Sequence, residues 1–392
     1  MTKILLYSIL SMVFMLSGCV NLKLDERFMV DEGDWYTEGG SYTHHHHVST
    51  TVDPPLVEKW RYDVGAGVGL AGALVIDGVI LVGTRKGHIL ALDIETGKKL
   101  GRARFEAPIE GGMTYNNSLL YLPFIDKKRT IVAYNIYNGD QVWRVKGAPV
   151  ESTILAGDSV VVVVDSDAQV RGIQARNGEI VWEHQMDEKT GIVASPVGVD
   201  GDLIVATEKG VVHKLEAATG ERHWSQALPE PVYSTPSVKG DNIFVPTTRG
   251  RFYSLSSETG KINWVYTLAD STVRFAAPGY DSENNQVVLA GSDGHLRSLD
   301  PATGDEGWVT KLDGAIITAP LFTNNTIYVG SLRGMLYALD RTTGEKLWEH
   351  KVTGRIKSAI VAHDEKLVVM AETQQLFVFE TKGREGKEEV SP

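Results

Sequence analysis

Leu339-Asp340-Arg341-Thr342-Thr343-Gly344-Glu345-Lys346-Leu347-Trp348 is the stretch that decides the fold. An Asp at a strand exit accepts hydrogen bonds from turn amides, and the Gly takes the positive φ that a hairpin bulge requires, so the segment reads as a turn between two strands. Its recurrence makes it decisive. A Trp follows a Gly by four residues at Gly139 and Trp143, Gly178 and Trp182, Gly220 and Trp224, Gly260 and Trp264, Gly304 and Trp308, and Gly344 and Trp348. These glycines are 39, 42, 40, 44 and 40 residues apart. A period near 40 holds four strands of ~5–6 residues and their turns, which is one blade of a β-propeller.

Working outward, the unit that ends at Trp348 has strands at 316–321, 327–330 and 335–339 before the Trp strand. Pro196, Pro236, Pro278 and Pro320 recur in the first strands, and proline, which cannot donate to a ladder, marks that strand as an edge facing the central channel. Third strands number eight, at 89–93, 131–135, 170–174, 212–216, 252–256, 296–300, 336–340 and 376–380. The Trp positions also number eight: Trp60, Gly101 in place of a Trp, Trp143, Trp182, Trp224, Trp264, Trp308 and Trp348. The last unit lacks a Trp strand and Trp60 lacks a unit, so the two ends are expected to pair and close an all-β, eight-bladed ring of four-stranded units, leaving no open sheet edge. The tryptophans are expected to lock blade to blade.

The 392 residues are 42% hydrophobic and carry a net charge of −11, which suits a globular protein and argues against nucleic-acid binding. Cys19 is the single cysteine, so no intrachain disulfide and no Cys-ligated zinc can form. Lys3 and a thirteen-residue apolar run, 4–16, precede Leu16-Ser17-Gly18-Cys19. That run is too short to span a bilayer and reads as a signal peptide over 1–18. From 19 to 58 the chain is acidic and lacks apolar periodicity, so a flexible tether is expected, with the ring at 59–381 and a loose tail at 382–392. His44, His45, His46 and His47 offer imidazoles without preorganisation, and no metal site is assigned to them.

The segment 16–19 resembles the bacterial lipobox, which implies cleavage before Cys19 and fatty acylation of it; Val20 in place of an aspartate implies delivery to the outer membrane. The repeat at 92–101 and 339–348 resembles the PQQ-type propeller repeat of quinoprotein alcohol dehydrogenases. A lipobox, a short leader and one bare eight-bladed ring are together similar to the BamB family of outer-membrane assembly lipoproteins. That resemblance implies a non-catalytic periplasmic scaffold, monomeric within a complex of outer-membrane β-barrel assembly proteins and held to the membrane by lipid. The family's partner loop after the fourth Trp strand corresponds to Asp187, Glu188, Lys189 and Thr190, and a look-alike of its sequence lies at Val273, Arg274 and Phe275; both are candidate partner sites. The competing readings are a small-ligand-binding propeller and a quinoprotein oxidoreductase holding PQQ and Ca²⁺ in the channel, which implies extra loops and an adjacent-cysteine disulfide that this chain lacks.

Dedicated catalytic motifs are otherwise missing. Gly67, Gly69 and Gly72 satisfy GxGxxG, but strand-like residues follow instead of a helix, so no helix N-terminus awaits a pyrophosphate. Asp93, Asp300 and Asp340 share one turn position and His88 and His295 one strand start, so geometry explains them; no catalytic residue, metal ligand or cofactor is assigned.

Overall fold

In seven of the eight repeats the chain folds back on itself three times, so that four antiparallel strands pair only with their sequence neighbours. A strand covered on both sides reads as a continuous apolar run and a half-covered one alternates, and both patterns occur here. Thr326–Gly330 is buried throughout, whereas the outermost Lys346–Lys351 alternates between half-buried and exposed residues. The computed structural model describes residues 22–24, 28, 30–31, 33–186 and 194–383. Among them, 32 strands form eight four-stranded sheets, and first strands of neighbouring blades approach one another around a central channel.

We number the blades from Leu74–Arg104 (blade 1, 74–104) to the sheet that closes the ring (blade 8). Blade 8 takes Leu56–Asp63 as its outer strand, antiparallel to Gln375–Thr381, with Trp60 opposite Val378. The ends therefore close the ring as the unpaired Trp60 strand required. The first strands are shorter than the sequence suggested: the one expected at 316–321 is Leu321–Phe322, because Ile316 gives its N–H to Gly291 of the preceding blade instead of to a ladder. Pro196, Pro236, Pro278 and Pro320 each sit one residue before an innermost strand.

The tryptophans join one blade to the next in two ways. Each of Trp60, Trp143, Trp182, Trp224, Trp264 and Trp308 lies against the turn glycine of the following blade, respectively Gly97, Gly178, Gly220, Gly260, Gly304 and Gly344, where a Cβ would come within 2.2–2.8 Å of the indole. These glycines also have φ near +70°, so they are needed twice over. Five of the six indoles donate to a carbonyl one blade on: Trp60 to Ile94 (2.9 Å), Trp143 to Ala175 (2.8 Å), Trp182 to Ala217 (3.1 Å), Trp224 to Ser257 (3.2 Å) and Trp264 to Pro301 (3.0 Å). Trp308 donates to the Gln286 side chain, which in turn donates to the Arg341 carbonyl of the next blade.

At Gly101 there is no indole, and an expected part of the tether takes its place. Leu22 is fully buried between blades 1 and 2, its N–H on the Arg102 carbonyl (3.0 Å) and its own carbonyl accepting from the Tyr134 hydroxyl (2.9 Å). The Lys23 stem lies over Gly139, 3.1 Å from where a Cβ would be.

The described residues of 33–55 likewise correct the expectation of a flexible tether. Trp35 and Val52 are fully buried, and the segment runs around one mouth of the channel, bonding to the blades in order. Trp35 pairs with Val75, and the carbonyls of Tyr36, Tyr42, Thr43, His45 and His46 accept from Tyr115, Gly198, Val238, Tyr280 and Phe322. Thr50 then reaches Asn324 and Glu365 in blades 7 and 8. This strap lacked any period of 2 or 3.6 because it binds a ring of strand ends instead of a flat sheet or a helix face. Positive φ at Gly39, Gly40, His44 and His46 curls it to fit. The signal peptide, Cys19 and most of the C-terminal tail lie outside the described residues.

Candidate partner-binding mouth of the channel

The strap forms the floor of the channel, and its side chains set the chemistry there. His44 and His46 are buried, and their pKa values are pushed down to about 3, by desolvation first and then by neighbouring imidazoles, so both are neutral at pH 7. Glu38 points up into the channel and accepts hydrogen bonds from the Ser195 hydroxyl (2.7 Å) and from Thr153. Thr153 N–H donates to Ser195 (3.0 Å) and Ser195 N–H to Thr235 (3.1 Å), so small hydroxyls link blades 3, 4 and 5 around the carboxylate. Above them is a cavity of about 280 Å³, open at the far mouth.

That mouth is built by one repeat position, four residues before each innermost strand. It is Leu70, Glu110, Glu151, Tyr233, Phe275, Ile317 and Lys357 in blades 1, 2, 3, 5, 6, 7 and 8. Leu70, Tyr233 and Ile317 are 58%, 48% and 40% exposed, a large apolar surface to leave open to solvent. Glu110 and Glu151 make the side at blades 2 and 3 acidic; Glu110 is paired with Arg85, and Lys357 with Glu372. The mouth therefore presents Tyr233 and Ile317 on blades 5 and 7, with Leu70 on blade 1 beside Glu110 and Glu151 on blades 2 and 3.

Of the residues singled out from sequence, Arg274 is exposed and makes no ion pair among the described residues, but Val273 and Phe275 are 2% and 3% exposed and belong to the core of blades 5 and 6. The segment pairs with its neighbour through a lone bridge, Phe275 to Gly291, with Val273 and Phe275 turned inward, so only Arg274 is open to a partner. Asp187, Glu188, Lys189 and Thr190 lie outside the described residues. Tyr233, Ile317 and Leu70 were missed, although Tyr233, Phe275 and Ile317 fall 42 residues apart, so aligning the repeats on Phe275 would have found them. The turn aspartates serve geometry: Asp340 accepts from the N–H groups of Thr342 (3.0 Å) and Thr343 (2.7 Å), and Asp300 from those of Ala302 and Thr303. Gly69 packs on the Glu110 carbonyl with no helix following, so the GxGxxG spacing is close packing.

PQQ is a planar tricarboxylate that binds with Ca²⁺, so its pocket needs cations for the carboxylates and a cluster of oxygen ligands for the metal. The channel lining offers Glu38, Glu110 and Glu151 with one cation, Lys357, itself paired with Glu372, while Arg85 at the edge is taken up by Glu110; among the described residues no three His, Cys, Asp or Glu side chains converge as a metal site. These residues do not fit the quinone.

The sequence profile of the family described as outer membrane protein assembly factor BamB matches residues 85–199, 166–321 and 292–386. The chain belongs to the BamB family. A BamB of Legionella pneumophila is 27% identical over 194 residues, 47% of this chain and 50% of the relative, so the chain aligns with half the length of that protein. The crystal structure of BamB from Moraxella catarrhalis superposes with a TM-score of 0.69 at 17% identity, covering 83% of this chain and 99% of that one. A quinohemoprotein alcohol dehydrogenase from Pseudomonas putida superposes with a TM-score of 0.76 at 13% identity, covering 95% and 84%; at such identities likeness shows the fold alone. The strap and the Leu22 segment precede the residues that match the BamB profile.

Proposed function

We propose that this chain is a non-catalytic, lipid-anchored scaffold on the periplasmic side of the outer membrane that binds protein partners during assembly of outer-membrane β-barrels. Membership of the BamB family supports the process, and the observation that carries the scaffold reading is the asymmetric channel. One mouth is filled by the chain's own strap, while the other presents Leu70, Tyr233 and Ile317 beside the acidic Glu110 and Glu151. Such a mouth suits a protein segment with an apolar side chain and a basic neighbour, since a few aromatic anchors such as Tyr233, flanked by apolar contacts that exclude water, supply most of an interface's binding energy. Arg274, three residues before Ala277 on the same rim, adds a free cation at the margin. Cys19 supplies the anchor in this reading, and the protein acts as a monomer within the complex. The acidic lining favours the scaffold over the quinoprotein alternative.

The test is affinity purification of the full chain from detergent-solubilised membranes, wild type against Tyr233→Glu and Arg274→Glu, with PQQ titrated in the presence of Ca²⁺. Barrel-assembly proteins retained by the wild type and lost with Tyr233→Glu are the expected result. Stoichiometric PQQ binding with dye-linked alcohol oxidation, and no assembly protein retained, overturns the scaffold reading.

A further inference from the structure

The rim where Leu22 and Lys23 replace the missing tryptophan is also where the charge of the molecule reverses. Residues 98–146 carry nine Lys and Arg against four Asp and Glu, in a chain whose net charge is −11. The cations sit on the outer strands of two adjacent blades, Lys99–Arg104 and Asp140–Val145, and on the turn between Leu119–Pro123 and Ile131–Asn135. Arg102, Arg104, Lys128, Arg144 and Lys146 are exposed, and none of the nine takes part in an ion pair with a described residue. Four of them, Lys128, Arg129, Arg144 and Lys146, converge with Glu106 and Asp126 on an open cleft of about 630 Å³, where cations outnumber carboxylates two to one. His88, under Arg102, has its pKa held low, by burial first and then by Arg102, Arg104 and Lys86, as a positive field requires. Several cations elsewhere on the surface are paired, Arg85 with Glu110, Arg333 with Asp313 and Arg355 with Glu372, whereas the nine here are not.

We propose that the rim of blades 1 and 2 is a membrane-docking surface that lies against an anionic phospholipid leaflet, and that the Leu22–Leu24 segment fixes this orientation by seating the chain between the two blades. The geometric half of the proposal rests on Cys19 being the lipid anchor. Cys19 is three residues before Leu22, which gives at most ~11 Å of chain between the acylated residue and a fully buried one. A tether of forty free residues lets a ring tumble; three residues hold this edge of the ring at the headgroups. Each Lys or Arg near an anionic surface adds attraction that falls off within a Debye length, so unpaired cations beside a short anchor act where they are strongest. The proposal leaves the channel mouth, with Tyr233 and Ile317, free of the bilayer for protein partners.

The test uses the full chain purified from membranes, with the mass of its N-terminal peptide reporting acylation of Cys19. It is reconstituted into phosphatidylcholine vesicles containing one-third phosphatidylglycerol, carrying a nitroxide on Arg144→Cys or, on the opposite side of the ring, on Lys261→Cys; an acylated Cys19 has no thiol to label. A water-soluble nickel relaxant should reach the blade 5 label and be excluded at least threefold at the blade 2 label, and Lys128→Glu with Lys146→Glu should abolish the difference. Equal access to both labels in the acylated protein overturns the docking surface. If the peptide carries no acyl chains, the anchor reading fails by itself, and cosedimentation of the same chain with these vesicles then decides the rim: at least a tenfold loss of binding in the double variant supports it, and unchanged binding overturns it.

Discussion

Leu24 donates its backbone N–H to the carbonyl of Ile136 at 2.9 Å, at the position where five other blade junctions receive an indole N–H. Ile136 follows the turn-forming Asn135 as Ala175 follows Gln174, and Ala175 accepts from Trp143. The neighbouring Lys23 covers Gly139 as Trp143 covers Gly178. A peptide thus supplies both the contact and the donor that the repeat obtains elsewhere from a tryptophan, and Gly101 is the residue that leaves room for it.

A tryptophan restored at that position should compete with the segment. In Gly101→Trp the indole falls over Gly139, where the Lys23 stem now lies. The expected outcome is a ring of nearly unchanged stability whose Leu24 amide exchanges at least tenfold faster, because its protecting contact has been displaced while the junction is refilled. Hydrogen exchange resolved to peptides over 22–31 makes the measurement, and an unchanged Leu24 amide would show that the two do not share a site.

The indole contributions can be separated at Trp264, which packs on Gly304, lies 5.8 Å from the Phe252 ring and donates to the Pro301 carbonyl at 3.0 Å. Trp264→Phe keeps much of the apolar contact and gives up the hydrogen bond, for a loss of about 1 kcal/mol. Trp264→Ala removes both and should cost about 3–5 kcal/mol. Urea unfolding of the two variants checks the ordering, and equal losses would mean that the ring contact contributes nothing.

The blades and their closure were legible because a forty-residue period repeats a local signal, so that errors at one unit are corrected by the others. All eight third strands fall within one residue of their expected starts, from His88–Asp93 to Gln375–Thr381. The strap was illegible for the opposite reason. Its partners are strand ends scattered from Val75 to Glu365, its contacts run through backbone carbonyls that any side chain allows, and its few apolar anchors, Trp35, Val48 and Val52, have no spacing to read. At the mouth, the repeat position was visible, but which of its residues faced solvent was not: Tyr233 and Ile317 turn out while Phe275, at the same position, packs against Phe252.

Asp281 and Arg341 join blades 6 and 7 as a buried ion pair, with side chains 0% and 3% exposed. Burial pushes the Asp281 carboxyl up, but hydrogen bonds from Arg341, Asn284 and Gln286 outweigh it and hold its pKa below the ordinary value of 3.8. Asp281→Ala leaves the buried guanidinium with the exposed Glu283 at 3.2 Å and two backbone carbonyls, so the loss should fall at or below the low end of the roughly 3–5 kcal/mol that breaking a buried pair costs at pH 7. A depressed carboxylate contributes its full stability above the unfolded value and loses it as pH falls through the folded one, so the gap between wild type and variant should stay constant down to about pH 4 and shrink below. Denaturant titrations at pH 7 and pH 3 test this, and a gap equally wide at both would remove the ion pair as its cause.

The strap should respond to acid at a higher pH than the ring. His44 and His46 are held neutral by burial, with pKa values near 3 against an ordinary 6.5, so each binds a proton only when the strap leaves the channel. For bases depressed in the folded state, the detached form binds more protons below pH 6.5, and stability falls as pH falls through that range. Two such groups taken from pH 6.5 to pH 5 weaken the strap's attachment by on the order of 2–4 kcal/mol, while carboxylate-dependent parts of the ring are still intact. Amides of Val48 and Trp35 should therefore lose protection between pH 6.5 and pH 5 ahead of those in Thr326–Gly330. His44→Gln with His46→Gln, which cannot titrate, should reduce that pH dependence, and what remains belongs to His45 and His47, whose pKa values burial also lowers. Protection of the strap that is independent of pH in the wild type would show that these imidazoles are not what acid acts on.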